Sequence, residues 1–307
     1  MNHHRYSAIL SLTNKDSDYQ TAEAKAAEKT ALKHGFDLRV VYAEGDAINQ
    51  SQQLLTLIQS HQLSRPDAIL LEPVGTGMIN VARAAVKAGV AWVVLNREVD
   101  YMQELRAEAT KPVFTVTTNH VETGRILGRQ MNSLLPKGGT VLYLQGPASS
   151  EAAKQRAAGT KETKRADIQL RSLNGHWLEK TAHDAVTTWL KLPTSRDIKI
   201  DVVAAQNDFM AMGARRAFTQ MMDIYHRKDW GEILYLGCDG LEGYGHKWAK
   251  EGQLSATIVC PTLSDLAIDL LAKAALQGGQ PPAVTLTEPR SFPALGQTAK
   301  IGERATA

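Results

Sequence analysis

PDAILLEPVGTGMINVARAAVKAGVAWVVLNR, residues 66–97, contains one complete unit of the fold. Residues 68–71 are a short apolar run opened by Pro66 and Asp67, the pattern of a strand with no face toward solvent. Ile79, Ala82, Ala85 and Val86 then fall on one side of a helix that Gly89 closes. Residues 90–95 form a second, almost wholly apolar strand. Strand, helix, strand predicts a crossover between parallel neighbours, because parallel strands cannot be joined by a tight turn.

The same rhythm runs outward in both directions. Upstream, residues 6–12 and 38–42 read as strands, with an alanine-rich helix over 20–34 closed by Gly35 and a helical face of Ser51, Leu54, Leu55 and Ile58. Downstream, a strand near Val113 leads into a helix marked by Val121, Gly124, Leu127, Met131 and Leu134. Strands follow over 140–144, 168–173, 201–205, 233–236 and 255–259, with helices starting near Ser149, Thr181, Asp208 and Leu241. A last helix spans 263–276 and stops at Gly278 and Gly279. That is about twice what one doubly wound sheet uses, with no low-complexity linker, so the expectation is two similar α/β lobes crossed several times by the chain. The tail from Gly296 to Ala307 shows no periodicity.

Bulk properties narrow the function. The chain has 307 residues, 43% hydrophobic and 22% charged, and 35 Lys and Arg against 32 Asp and Glu leave a formal charge of +3 spread along it. Nothing there forms a tract that would follow a phosphate backbone, so no nucleic acid is expected as partner. No run reaches the eighteen or so apolar residues of a span, so no membrane insertion is expected. Cys238 and Cys260 lack metal-ligand spacing and are read as free thiols. The apolar run near Met1 is too short for a leader, which gives a periplasmic location if a leader has been removed and a cytoplasmic one if Met1 is the start.

Ligands of open α/β sheets bind where strands end at their carboxyl termini. There the sequence places Asn14, Asp16, Ser17, Asp18 and Tyr19; Glu72 and Pro73; Asn96 and Arg97; Ser149 and Ser150; His176 and Trp177; Gln206, Asn207 and Asp208; and Cys238, Asp239 and Gly240. Such a set suits a polyhydroxylated ligand. Arginine forks and carboxamides pair with hydroxyls, and aromatic rings cover the apolar face of a sugar ring.

Five runs, in order along the chain, carry a family resemblance: Pro66-Asp67-Ala68-Ile69 with Glu72-Pro73, Val94-Leu95-Asn96-Arg97, Ala205-Gln206-Asn207-Asp208 with Met210-Ala211-Met212-Gly213-Ala214, Leu236-Gly237-Cys238-Asp239-Gly240, and Ser255-Ala256-Thr257-Ile258. Over nearly its whole length the chain resembles the ribose-binding-like periplasmic sugar-binding proteins, whose type I fold is shared with the ligand-binding half of lactose-repressor-type regulators. The resemblance implies two doubly wound parallel-sheet lobes joined by a three-strand hinge, with residues 1–118 plus 261–289 in one lobe and 119–260 plus 290–307 in the other. It also implies a sugar or polyol-like ligand clasped by the lobes, bound by Tyr19, Gln20, Asn96, Arg97, Arg156, Trp177, Asn207, Asp239 and Cys260. An ABC permease is the implied partner of a monomer. Asn96 stands where the family commonly has Asp and Cys260 where it has Gln. Losing a charged acceptor and an amide argues against ribose itself and toward a less hydroxylated sugar, a polyol or another polar ring.

No enzyme, cofactor or metal site is expected. The sequence has no His-Glu-x-x-His, no Gly-x-Ser-x-Gly and no phosphate loop, and Gly75-Thr76-Gly77 lacks the third glycine of a dinucleotide site. Asp208 and Asp239 could pair as acid and base, though hydroxyl recognition explains the same positions. The rival reading is a cytoplasmic sensor that signals to a regulator or kinase. With five residues ahead of Tyr6 there is no room for a helix-turn-helix.

Overall fold

The computed structural model describes residues 5–59 and 65–305; residues 1–4, part of the amino-terminal reading above, lie outside them. The chain folds into two compact units, Met1–Thr118 with Thr262–Thr287, and Asn119–Pro261 with Glu288–Ala307. It therefore passes from one unit to the other three times.

In chain order the first segment carries β1 (Ser7–Leu12), α1 (Asp18–His34), β2 (Asp37–Tyr42), α2 (Ala47–Gln59), β3 (Ala68–Leu71), α3 (Ile79–Lys87), β4 (Ala91–Leu95), α4 (Met102–Glu108) and β5 (Val113–Thr118). The second segment carries α5 (His120–Leu134), β6 (Gly139–Gln145), α6 (Glu151–Thr163), β7 (Ile168–Asn174), α7 (Glu179–Lys191), α8 (Pro193–Arg196), β8 (Val202–Ala205), α9 (Asp208–Ile224), β9 (Leu234–Leu236), α10 (Gly245–Lys250) and β10 (Thr257–Val259). The chain returns through α11 (Ser264–Gln277) and β11 (Val284–Thr287), then ends with β12 (Arg290–Phe292) and α12 (Leu295–Ala305).

The first unit is a parallel sheet in the order β11-β5-β4-β3-β1-β2. Alternation along β4 shows why its sequence is apolar throughout. Ala91, Val93 and Leu95 join Leu10, Leu70, Phe114 and the α1 and α11 residues Ala24, Ala27, Ile268 and Leu271 on one face. Trp92 and Val94 join Ile9, Ile69, Leu54, Val81 and Leu105 on the other. Both faces are covered, so each strand position is buried at about 1.5–3 kcal/mol for a large apolar side chain.

The second unit repeats the plan in the order β7-β6-β8-β9. Parallel bridges Leu236↔Ala256 and Asp239↔Val259 add β10 beside β9, and β12 runs antiparallel to β10. Leu142, Leu144, Val203 and Ala205 pack under α7 and α9 with Met210 and Met221. Val141, Tyr143, Val202 and Ala204 pack under α5 with Cys238 and Cys260.

Five elements depart from the sequence reading. The carboxyl tail is helical: α12 lies against α5 and lends Ile301 to that core. A single tertiary contact face, with no repeat of its own in the chain, is too short a signal for periodicity to reveal. The helix expected near Leu241 begins at Gly245, because residues 237–244 form the loop described below. Helix α4 and strands β11 and β12 were not anticipated, each being short and of mixed polarity.

Candidate functional site

Each unit presents its unusual polar residues at the carboxyl ends of its parallel strands. In the first unit these are the loops after β1, β3 and β4. Glu72, at the end of β3, organises them: it accepts from the Gln20 amide at 2.5 Å and from Asn96 Nδ2 at 2.9 Å. Gln20 is buried, and its carbonyl oxygen accepts from the Thr13 amide at 2.9 Å, so it braces the loop after β1 from within. Asn96 holds a left-handed backbone at φ 66°, a conformation Asn tolerates and β-branched residues do not. That turn directs Arg97 back across the strand ends, where Nη2 donates to the carbonyls of Pro73 and Gly75. Partial burial lowers the Arg97 pKa, with the Glu72 charge opposing the shift, and leaves the group a fixed cation.

Tyr19 is half-buried on the first turn of α1, hydrogen-bonded to the Glu23 carboxylate. Glu23 is itself wholly buried. It accepts from the backbone amides of Leu263 at 3.0 Å and Ser264 at 2.9 Å, the start of α11. Loss of hydration nevertheless dominates and raises its pKa to about 7.

In the second unit Arg156, Trp177, Asn207 and Asp239 form one cluster. Helices α5 and α6 cross closely through Gly124 and Gly159; a β-carbon at either would come within 2.0 Å of the facing helix's carbonyl oxygen. This close approach brings Arg156 from α6 inward until it is 7% exposed. Its Nε lies 3.4 Å from His120 Nδ1, Nη1 donates to the Gln206 carbonyl, and the Asp239 carboxylate stands 3.5 Å away. The guanidinium also sits 5.6 Å from the centre of the Trp177 ring, within range for cation–π attraction.

Trp177 and Asp239 are held in backbone that L-residues rarely adopt, φ 68° and 96°, and His176 precedes Trp177 at φ 52°. Such strain persists only where surroundings impose it. Here Asn207 does so in part: Nδ2 donates to the Trp177 carbonyl at 2.8 Å, while Oδ1 caps α9 by accepting from Met210 N at 2.8 Å. The ring of Trp177 lies against the bare backbone of Gly146, where a β-carbon would sit 2.1 Å from it.

Asp208, next to Asn207, serves the loop instead of an acid/base pair. It is fully buried, accepts from Gly240 N at 2.7 Å and Thr257 Oγ1 at 2.5 Å, and its pKa is driven well up by burial and by the Asp239 charge. Gly237 and Gly245 both give way to its carboxylate. Cys260, expected to face ligand or fill the core, is 6% exposed with its Sγ 3.8 Å from that of Cys238. The two thiols and Asp239 are the one group among the described residues whose ligating atoms gather within 4.8 Å, yet the Arg156 guanidinium already supplies positive charge beside Asp239.

The arrangement can neutralise, donate to and stack on a polar ring, and it holds no nucleophile–base pair. Reasoning from the sequence missed Glu72 and Gln206 as organisers. Gln206 is buried, accepting from Gly146 N at 2.9 Å and donating to Tyr143 at 2.8 Å. Both stood in the strand-end runs, but nothing local distinguishes a brace from a ligand contact.

Residues 8–280 match the family described as a periplasmic binding protein domain. The ribose import binding protein of Bacillus subtilis strain 168 is 28% identical over 250 residues, 81% of this chain and 74% of that protein. A protein of Rhizobium meliloti whose name ties it to rhizopine is 31% identical over 193 residues, spanning 60% of this chain and 57% of its own length. Among solved structures, the myo-inositol binding protein of Caulobacter has a TM-score of 0.78 at 18% identity, covering 97% of each chain.

Proposed function

The chain belongs to the periplasmic binding protein family, and from that premise we propose that it binds a sugar or cyclic polyol and delivers it to the permease of an ABC uptake system. The family is one of substrate-binding proteins, which are not enzymes. The observation that carries the reading is the cluster of Arg156, Trp177, Asn207 and Asp239, a nearly buried charge pair beside an aromatic ring on strained backbone at the strand ends. Such a combination is costly to fold and serves a ligand with both a ring face and hydroxyls.

In the first unit, Tyr19 and Arg97 offer an aromatic ring and a guanidinium of the same kind. Gln20, Asn96 and Asn207 act mainly by fixing loops, and Cys260 packs in the core of the second unit beside Cys238. The relatives' names point the same way, to ribose, D-allose and D-apiose. With Asn96 in place of an acid, ribose itself is not the expected ligand; a cyclic polyol or deoxy sugar fits better. The protein works as a monomer in the periplasm, the compartment named for its relatives; the cytoplasmic sensor reading gains no support from them.

A thermal-shift screen of pentoses, hexoses, deoxy sugars and inositols tests the reading. Ligand at a hundred times its dissociation constant stabilises by about 2.7 kcal/mol. A shift with one class, lost in both Arg97→Ala and Trp177→Ala, is the expected result. A folded protein that responds to none of the panel would overturn it.

A further inference from the structure

We propose that Cys238 and Cys260 are a redox couple that closes to an intramolecular disulfide. Parallel pairing of the segments around them, through Leu236↔Ala256 and Asp239↔Val259, sets Cys238 opposite Ile258 and Cys260 opposite Gly240, so the two cysteines are diagonal neighbours in one core cluster. Both side chains turn into the core beneath α5, with Ile126, Leu127 and Met131. Their sulfurs are 3.8 Å apart as free thiols. A disulfide needs about 2.05 Å, so closure takes side-chain rotation together with a backbone shift that draws the diagonal pair together. An aliphatic pair would fill this position equally well, and nothing in the proposed ligand site requires a second sulfur behind Cys260.

The surroundings assign a role to each thiol. Both thiols are buried, and of the two residues only Cys260 keeps any exposed surface, 6%. The Cys238 S–H and the Arg156 charge favour the Cys260 thiolate, lowering its pKa, while burial raises that of Cys238. Cys260 is the attacking group and Cys238 the resolving one. The Cys260 thiolate attacks one sulfur of an external disulfide, such as glutathione disulfide or an oxidoreductase's; that S–S bond breaks and one thiol leaves. Cys238 then loses its proton and attacks the Cys260 sulfur of the mixed disulfide, releasing the second thiol. Two electrons pass from the pair to the external disulfide. The new bond would fix Asp239, which directly follows Cys238 and pairs with Val259.

The test is incubation of the native protein with glutathione disulfide, followed by denaturation, alkylation and intact-mass measurement. Wild type is expected to lose two hydrogens and become closed to alkylation, then to reopen with dithiothreitol. Cys238→Ser should stop at a glutathione adduct on Cys260, and Cys260→Ser should react at least tenfold more slowly. Circular dichroism checks that both variants are folded, and Cys→Ala versions replace any that are not. Wild type that keeps both thiols alkylatable, or that accumulates a stable adduct as Cys238→Ser does, overturns the proposal. None of these readouts depends on the ligand.

Discussion

Gly146→Ala tests the second-unit cluster without altering any polar group. The added carbon would lie 2.1 Å from the Trp177 ring, against an ordinary contact of 3.4 Å or more, so the indole must retreat by about 1.3 Å. It cannot do so freely. The Asn207 bond to the Trp177 carbonyl and the Arg156 guanidinium over the ring hold it in place. Overpacking of this kind costs about 1–3 kcal/mol of stability. If the ring stacks on the ligand as proposed, its displacement weakens binding ten- to hundredfold, which corresponds to about 1.4–2.8 kcal/mol. The atoms struck belong to the outer edge of the indole, so Trp177→Phe, with its shorter ring, should relieve the strain and make the double variant more stable than the sum of the singles. Calorimetric titration with the sugar found in the screen, paired with thermal melts, measures both effects. Gly146→Ala that binds with wild-type affinity would show that the Trp177 ring does not touch ligand.

Three further outcomes are expected. Arg97→Lys keeps a nitrogen for the carbonyls of Pro73 and Gly75, both served by Nη2, but loses the rest of the planar fork that would pair with hydroxyls, and titration should show affinity about tenfold weaker at little cost in melting temperature. Asp208→Asn turns an acceptor of the Gly240 or Thr257 donor into another donor; urea unfolding should report a loss of about 1–3 kcal/mol. Burial raises Glu23 to about 7 from 4.5, so the folded chain keeps a proton that the unfolded chain has released. The stability this group contributes is full below about pH 4.5 and lost as pH rises through about 7, with a slope of at most about 1.4 kcal/mol per pH unit. Melting curves of Glu23→Gln, neutral throughout, should lack that slope between those limits; an unchanged slope would assign it to another group.

Strands such as β4 were legible because burial on both faces leaves an unbroken apolar run, and helices such as α1 because alanine faces and Gly35 mark body and end. The strand-end positions of Arg97, Asn207 and Asp239 were legible for the same reason, since period and topology fix where each strand stops. Partners of those side chains were not. Glu72 joins Gln20, 52 residues away, and Asn96; Arg156 reaches Asp239, 83 residues on; Glu23 caps a helix 240 residues later. No local pattern encodes such meetings, because they depend on how closely helices cross, as at Gly124 and Gly159, and on which loops the sheet sets side by side. The sequence by itself determined the layers and the chemistry available at their edges. Only tertiary packing decided which polar groups brace loops, which gather around Arg156, and that the sulfurs of two cysteines 22 residues apart lie 3.8 Å from each other.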